Sequence, residues 1–151
     1  MDRDRYLPKP LVWVDMFQFK TAEAGTVIHT DALGPCIGLV IWDEQRKTAL
    51  LGHLADAERD KENIQKAVGD FIGLSGTDAI KVYLRGGGIQ GDISGGYVEE
   101  IEKDRKAVLN ILSGAGIEQD KIDVEWMDDY SYCADIEIDV ETGDFKCEYT
   151  N

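Results

Sequence analysis

Basic side chains are scarce in this sequence. Lys and Arg number 16 against 30 Asp and Glu, a formal net charge of -14 at pH 7. A surface of that sign repels phosphate backbones and anionic headgroups, which makes nucleic acid and membrane surfaces poor partners. Solubility alone accounts for the acidity. Histidine is scarcer still, with 2 residues, and no C-x-x-C occurs, so the usual donors of a zinc site are missing. The 3 cysteines, Cys36, Cys133 and Cys147, are too few and odd in number for a disulfide framework. No apolar run approaches the about 18 residues that identify a membrane-spanning helix. The opening stretch MDRDRYLPKPLVWVDMF mixes charges of both signs and carries no apolar segment ahead of a cleavage site. The expectation from these absences is a cytoplasmic protein without membrane insertion, secretion by a route without a cleaved signal remaining open.

What is present reads as one globular domain. Hydrophobic residues make up 43% and charged residues 30% of 151, enough for a core and too apolar for disorder. There are no repeats and no linker, so residues 1–151 are taken as a single domain with 1–10 as a loose N-terminal extension. LVWVDMFQFK (Leu11–Lys20) is aromatic and β-branched and reads as one strand, with TAEAGTV as the turn after it. VIHT is a short strand leading into DALGPC. CIGLVIWD (Cys36–Asp43) reads as a buried strand, and TALLGHLA (Thr48–Ala55) returns beside it after the charged turn DEQRK. Ile64, Ala67, Val68, Phe71 and Ile72 recur at helical spacing, as do Val98, Ile101, Val108, Ile111 and Leu112. Strands are expected at Asp78–Gly86 and over IDVEWMD. In ADIEIDVETGDFKCEY, Ile136, Ile138 and Val140 alternate with Asp135, Glu137 and Asp139, and ETGD makes a hairpin turn. Two helices cannot interleave with so many strands, which argues against a doubly wound parallel sheet. The fold class expected is α/β of the α+β kind: layered, mostly antiparallel, sandwich-like sheets flanked by about two main helices.

Two patterns suggest ligands and are set aside. RGGGIQGDISGG satisfies G-x-G-x-x-G through Gly86, Gly88 and Gly91. The following helix starts too late for Gly91 to pack it on the strand, and Asp92 would face a pyrophosphate. The segment reads better as a flexible turn or as a rim whose bare backbone admits a substrate. The acidic string Asp128, Asp129, Asp135, Glu137 and Asp139 lacks the glycine and closing glutamate of a calcium loop. No cofactor and no metal are expected.

The chemistry-bearing set is Cys36, His53 and Thr30. A cysteine nucleophile needs a base to generate its thiolate, and the base needs an orienting group. In a hairpin turning near Asp43–Lys47, position 36 falls roughly opposite 54, which brings His53 near Cys36 if the register allows. His53 is an odd polar ring within ALLGHLA. Gly34-Pro35 bends the chain before Cys36 and frees backbone N–H groups for an oxyanion. Gly34, Pro35, Gly52, Gly87 and Gly88 are the candidate substrate rim, with Arg85, Tyr97 and Tyr132 as further candidates. The competing reading makes Cys36 a small buried residue and His53 a satisfied core histidine.

These residues resemble the CheD-like chemoreceptor glutamine deamidases of bacterial chemotaxis. The family pattern is T-L-G-L-G-S-C, an apolar strand, a turn and a strand with a histidine. Here TDALGPC places Thr30 six residues before Cys36, and IGLVIWDEQRKTALLGH places His53 seventeen after it. KVYLRGGG, EEIEKDRKAVLNILSGAGI and DIEIDVETGDFKCE resemble later elements of the family in the same order. The resemblance implies paired sheets flanked by helices, an architecture similar to that of the cytotoxic necrotizing factor toxins. It implies hydrolysis of a protein glutamine side chain to glutamate with Cys36 as nucleophile, His53 as base then acid, and Thr30 orienting the imidazole. It implies a glutamine-bearing protein, chemoreceptor-like or other, as substrate; a monomer is expected. Pro35, Asp31, Ala32, the LADAE after His53, and Lys103-Asp104 depart from the family pattern, so the chain reads as a divergent member. Two alternatives stay open: transglutaminase-type transfer of the acyl group to an amine, and a non-catalytic binding or adaptor module.

Overall fold

The structure is a computed structural model, and it describes residues 8–89, 95–128 and 132–150. Among the described residues nine strands form two sheets. β1 (Leu11–Trp13), β3 (Val27–Leu33), β8 (Cys133–Asp139) and β9 (Phe145–Thr150) make a four-stranded sheet in the order β1-β3-β8-β9. β2 (Phe19–Glu23), β5 (Thr48–Leu54), β4 (Ile37–Asp43), β6 (Ile80–Gly86) and β7 (Ile122–Trp126) make the other, in the order β2-β5-β4-β6-β7. Among the described residues β1–β3 and β6–β7 pair in parallel and the other pairs are antiparallel. Helices α1 (Lys61–Ser75) and α2 (Gly95–Gly114) cover the outer face of the five-stranded sheet. The molecule is therefore an α+β sandwich of helices, sheet and sheet. Among the described residues no helix is long and apolar enough to cross a membrane.

The burial of each strand follows from its place. IGLVIWD in β4 is buried at every position because this central strand has helices on one side and a sheet on the other. Its Ile37, Leu39 and Ile41 meet Ile64, Val68, Val108 and Leu112 of the helices. Its Val40 and Trp42 meet Ile28, Ile136 and Ile138 of the second sheet. β8 has one face to solvent and alternates accordingly, with Ala134, Ile136 and Ile138 inward and Asp135, Glu137 and Asp139 outward. The E-T-G turn closes as expected: the Asp139 carboxylate accepts from the N–H groups of Glu141 and Thr142, and Gly143 takes φ 77°. At the N-terminal end, the Pro10 carbonyl accepts from Val27 N–H, and Lys9 pairs with Asp139 at 2.6 Å.

Two expectations change. Leu11–Lys20 is not one strand. It breaks over Val14–Gln18, because β1 and β2 belong to different sheets and the chain must turn a corner between them. Val14 is buried at the crossing and Phe17 takes φ 67° to complete it. The β4–β5 register is also one residue away from the one expected. Asp43 pairs with Thr48, leaving four residues in the turn with Lys47 at φ 53°, so Ile37 lies opposite Leu54 and Gly38 opposite His53. That single step puts His53 on the face turned to the second sheet, with Leu51 and Ala49.

Gly38 is held bare by this packing. A Cβ there would lie 2.6 Å from Leu33 and 2.7 Å from Ile136, both inward side chains of the second sheet. Gly38→Ala is expected to destabilise the fold by about 1–3 kcal/mol through overpacking, read as a lower urea midpoint. An unchanged midpoint would show that the sheets do not meet there.

Candidate active site

Thr30 and His53 come from opposite sheets and meet in the dry layer between them. Thr30 is 0% and His53 3% exposed. Thr30 Oγ1 lies 2.7 Å from His53 Nδ1 and 2.7 Å from the Val14 carbonyl. The hydroxyl has one proton, and the carbonyl can only accept it. Thr30 therefore donates to Val14, and His53 Nδ1–H donates to Thr30 Oγ1. The proton on a neutral His53 is thus fixed at Nδ1, leaving Nε2 with its lone pair free. Nε2 is buried and bonds to no described group. Burial lowers the pKa of His53, outweighing the opposing charges of Asp31 and Asp15, so the ring is neutral near pH 7.

Cys36 stands at the end of the same inter-sheet face, two residues before Gly38, and packs against the cluster that contains Leu51, Val40 and Ile136. It is a diagonal neighbour of His53 across the β4–β5 pair, a separation that side chains can bridge. No hydrogen bond joins the thiol to Nε2 in this resting arrangement; such contacts are often long until substrate tightens them. Its thiol is pushed above the ordinary range by burial, then by the charges of Asp104 and Cys133. The resting pair is thus neutral thiol and neutral imidazole. The backbone N–H of Cys36 donates to no described group. On its open side Cys36 lines a cleft of about 250 Å³ with Pro35, Ala55, Asp56, Glu100, Ile101 and Asp104.

The loop that carries Cys36 is strapped down. Gly87 N–H donates to the Cys36 carbonyl at 2.9 Å and Gly88 N–H to the Gly34 carbonyl at 2.9 Å. Arg105 of α2 reaches back to the Gly87 carbonyl at 2.9 Å through Nε and to that of Met127 at 3.1 Å, its guanidinium over the Trp126 ring. Upstream, β3 bulges between Thr30 and Leu33. Asp135 accepts from Ala32 N–H at 3.0 Å there, and Ala32 sits at φ 57°, a left-handed conformation that costs a non-glycine residue about 1–2 kcal/mol.

Of the residues singled out from sequence, Thr30 and His53 are brought into contact, and Cys36 lies diagonally across the β4–β5 pair from His53. Pro35 lines the cleft, and Gly34 is buried behind it. Gly52 is not on the rim: it lies on the helix-facing side, where a Cβ would sit 2.6 Å from the Phe19 ring. Gly87 and Gly88 are buried and serve the strap; a Cβ on Gly87 would meet Trp126 at 2.9 Å. Arg85 is 6% exposed and lies within the sandwich, paired with Asp123 at 3.2 Å. Tyr132 is half-buried and stacks edge-on to Tyr149. Gly91, Asp92 and Asp129, together with the side chain of Tyr97, lie outside the described residues. Val14 and Arg105 were not singled out, Asp104 was noted only as a departure from the family pattern, and Asp135 only as part of the acidic string and the alternating strand. Their partners are 16, 18, 46 and 103 residues away, so no local pattern marks them.

No protein-family model matches the chain, and no curated protein matches it. Among solved structures it is similar to the hypothetical protein YfiH of Bacillus licheniformis, with a TM-score of 0.51 and 12% identity over 71% of this chain and 49% of that one. The chain thus spans about half of that structure, and at this identity the likeness shows a distant fold neighbour alone.

The thiol shift is directly measurable. In a Cys133→Ser, Cys147→Ser background, iodoacetamide should modify Cys36 with a pH profile that rises later than that of a free thiol, since a raised pKa means less thiolate at each pH. His53→Ala should leave that late onset in place, and Asp104→Asn should move it earlier. Modification setting in below the free-thiol range would contradict the neutral resting pair.

Proposed function

We propose that this protein is a cysteine-dependent protein-glutamine deamidase, a divergent relative of the CheD-like family acting as a cytoplasmic monomer on a glutamine-bearing protein. The observation that carries the reading is His53 Nε2: buried, unpartnered, with its proton fixed on the far nitrogen by Thr30, on a ring diagonal to Cys36 across the β4–β5 pair. A core histidine with no catalytic duty gains nothing from an orphaned buried nitrogen, which costs about 1–3 kcal/mol. The order of elements and the Thr30–Cys36–His53 spacing support the same reading.

In this mechanism the carboxamide enters by the cleft. Nε2 takes the thiol proton as Sγ bonds to the carboxamide carbon, and the oxyanion forms against the free Cys36 N–H. Nε2–H then protonates the amide nitrogen, the C–N bond breaks and ammonia leaves. Water, deprotonated by Nε2, attacks the thioester; the C–S bond breaks, and Sγ recovers its proton while glutamate departs. Since the resting thiol is protonated, proton transfer and attack belong to one step rather than to a preformed ion pair. Thr30 acts as a neutral counterpart of the third member of a triad.

One observation favours a second reading. The raised thiol pKa of Cys36 suits a non-catalytic binding module as well as a resting enzyme. Ammonia release separates them. Cys36→Ala should abolish release with the fold intact, and His53→Ala should lower it by about 10²–10⁴-fold. Thr30→Val should cut it while costing about 2 kcal/mol of stability, because Val14 carbonyl and His53 Nδ1–H lose their partner; Thr30→Ser should restore both. Release that persists in Cys36→Ala would overturn the assignment.

A further inference from the structure

The backbone N–H of Cys36 is free because one carbonyl is turned away from it. β4 and β6 pair antiparallel with Ile37 opposite Gly86, and one step further Cys36 stands opposite Gly87. Residues opposite at such a position exchange two hydrogen bonds, each N–H donating to the other's carbonyl. Here one half is made: Gly87 N–H donates to the Cys36 carbonyl at 2.9 Å. The other half, Cys36 N–H to the Gly87 carbonyl, is not made. Arg105 of α2 takes that carbonyl instead, through Nε at 2.9 Å and through Nη2 as a second donor. The N–H on the far side of the same peptide unit, that of Gly88, donates to the Gly34 carbonyl at 2.9 Å. The Gly87–Gly88 peptide is thus clamped at both ends.

The chain is otherwise easy to turn here. Gly86 and Gly87 take φ 86° and 61°, and a peptide unit between glycines meets few steric barriers. Released, the Gly87 carbonyl can complete the ladder and consume the Cys36 N–H. Arg105 itself is fixed, since it also donates to the Met127 carbonyl at 3.1 Å and lies 5.2 Å from the centre of the Trp126 ring. To hold the loop alone, the ladder bond that Arg105 displaces would serve as well. What the arginine adds is an unpaired N–H on the nucleophile, the group placed to meet an oxyanion formed on that residue's own side chain. Building on the deamidase reading, we propose that Arg105 is a positioning residue for the oxyanion: by holding the Gly87 carbonyl away from Cys36, it keeps the Cys36 N–H available. It acts through Gly87 and not on the substrate.

The test compares two reactions of one thiol in the Cys133→Ser, Cys147→Ser background. Acylation by p-nitrophenyl acetate passes through an oxyanion: Sγ bonds to the carbonyl carbon, the thiol proton goes to His53 Nε2, and the C–O bond breaks to release nitrophenolate. Alkylation by iodoacetamide displaces iodide and forms no oxyanion. Arg105→Met keeps a stem over Trp126 and removes the donors; it should slow acylation by about tenfold or more and leave alkylation within about twofold. Arg105→Lys, which keeps one donor for the Gly87 carbonyl, should retain most of the acylation rate. Scalar coupling across a hydrogen bond from the Cys36 nitrogen to the Gly87 carbonyl carbon, read by NMR, should be absent in the parent protein and appear in Arg105→Met. That coupling in the parent protein would overturn the proposal without need of a variant. Unchanged acylation in Arg105→Met, or an equal loss of both reactions, would overturn the positioning role and leave the deamidase reading standing. A selective loss of acylation, in a protein whose Cys36 supports no ammonia release, would uphold the role of Arg105 and overturn the deamidase reading.

Discussion

One hydroxyl holds the two sheets and the site in a single arrangement. Thr30 belongs to the four-stranded sheet, His53 to the five-stranded sheet and Val14 to the corner between β1 and β2. The layer around them is mostly apolar, with Arg85 as another buried polar side chain in it, and a polar group that fails to find its partner there costs about 1–3 kcal/mol. The relative position of the sheets, the path of the corner and the tautomer of the imidazole are therefore set together. A slip of β5 by one residue would turn His53 to the helix side and break all three.

The backbone around this contact is strained on every side. Among the described residues, three of the four non-glycine residues with positive φ flank it: Phe17 in the corner, Ala32 in the bulge after Thr30, and Asp56 after β5. Such conformations persist where surrounding bonds overdetermine them. Phe17 N–H donates to the His53 carbonyl, Asp135 holds Ala32, and the Asp56 turn is tied to α2 through Glu58 and Asp104. The Cys36 loop is likewise held from behind by Gly87, Gly88 and Arg105. These bonds hold the site at one end of the sandwich, and among the described residues they leave free one ring nitrogen, one thiol and one backbone N–H.

The sequence made the layered α+β fold legible because burial writes itself into periodicity. β4 is apolar throughout since it is covered on both faces, β8 alternates since it is covered on one, and Ile64, Val68 and Phe71 recur at helical spacing since α1 presents one stripe. The Thr30–His53 contact was legible through resemblance rather than through any local rule. The break in Leu11–Lys20 was hidden because both halves are good strand sequence; only the change of sheet divides them. Gly52 looked like room for substrate, but the glycine answers to Phe19, which no spacing reveals. Val14, Arg105 and Asp135 act through partners remote in the chain, so their roles appear only in three dimensions.

The central claim is the state of His53. Nitrogen-15 NMR of labelled imidazole in the folded protein at pH 7 tests it most directly. The account predicts a neutral ring with its proton on Nδ1 and an unprotonated Nε2, a pattern lost or mixed in Thr30→Val. A proton on Nε2, or an imidazolium at that pH, would contradict it.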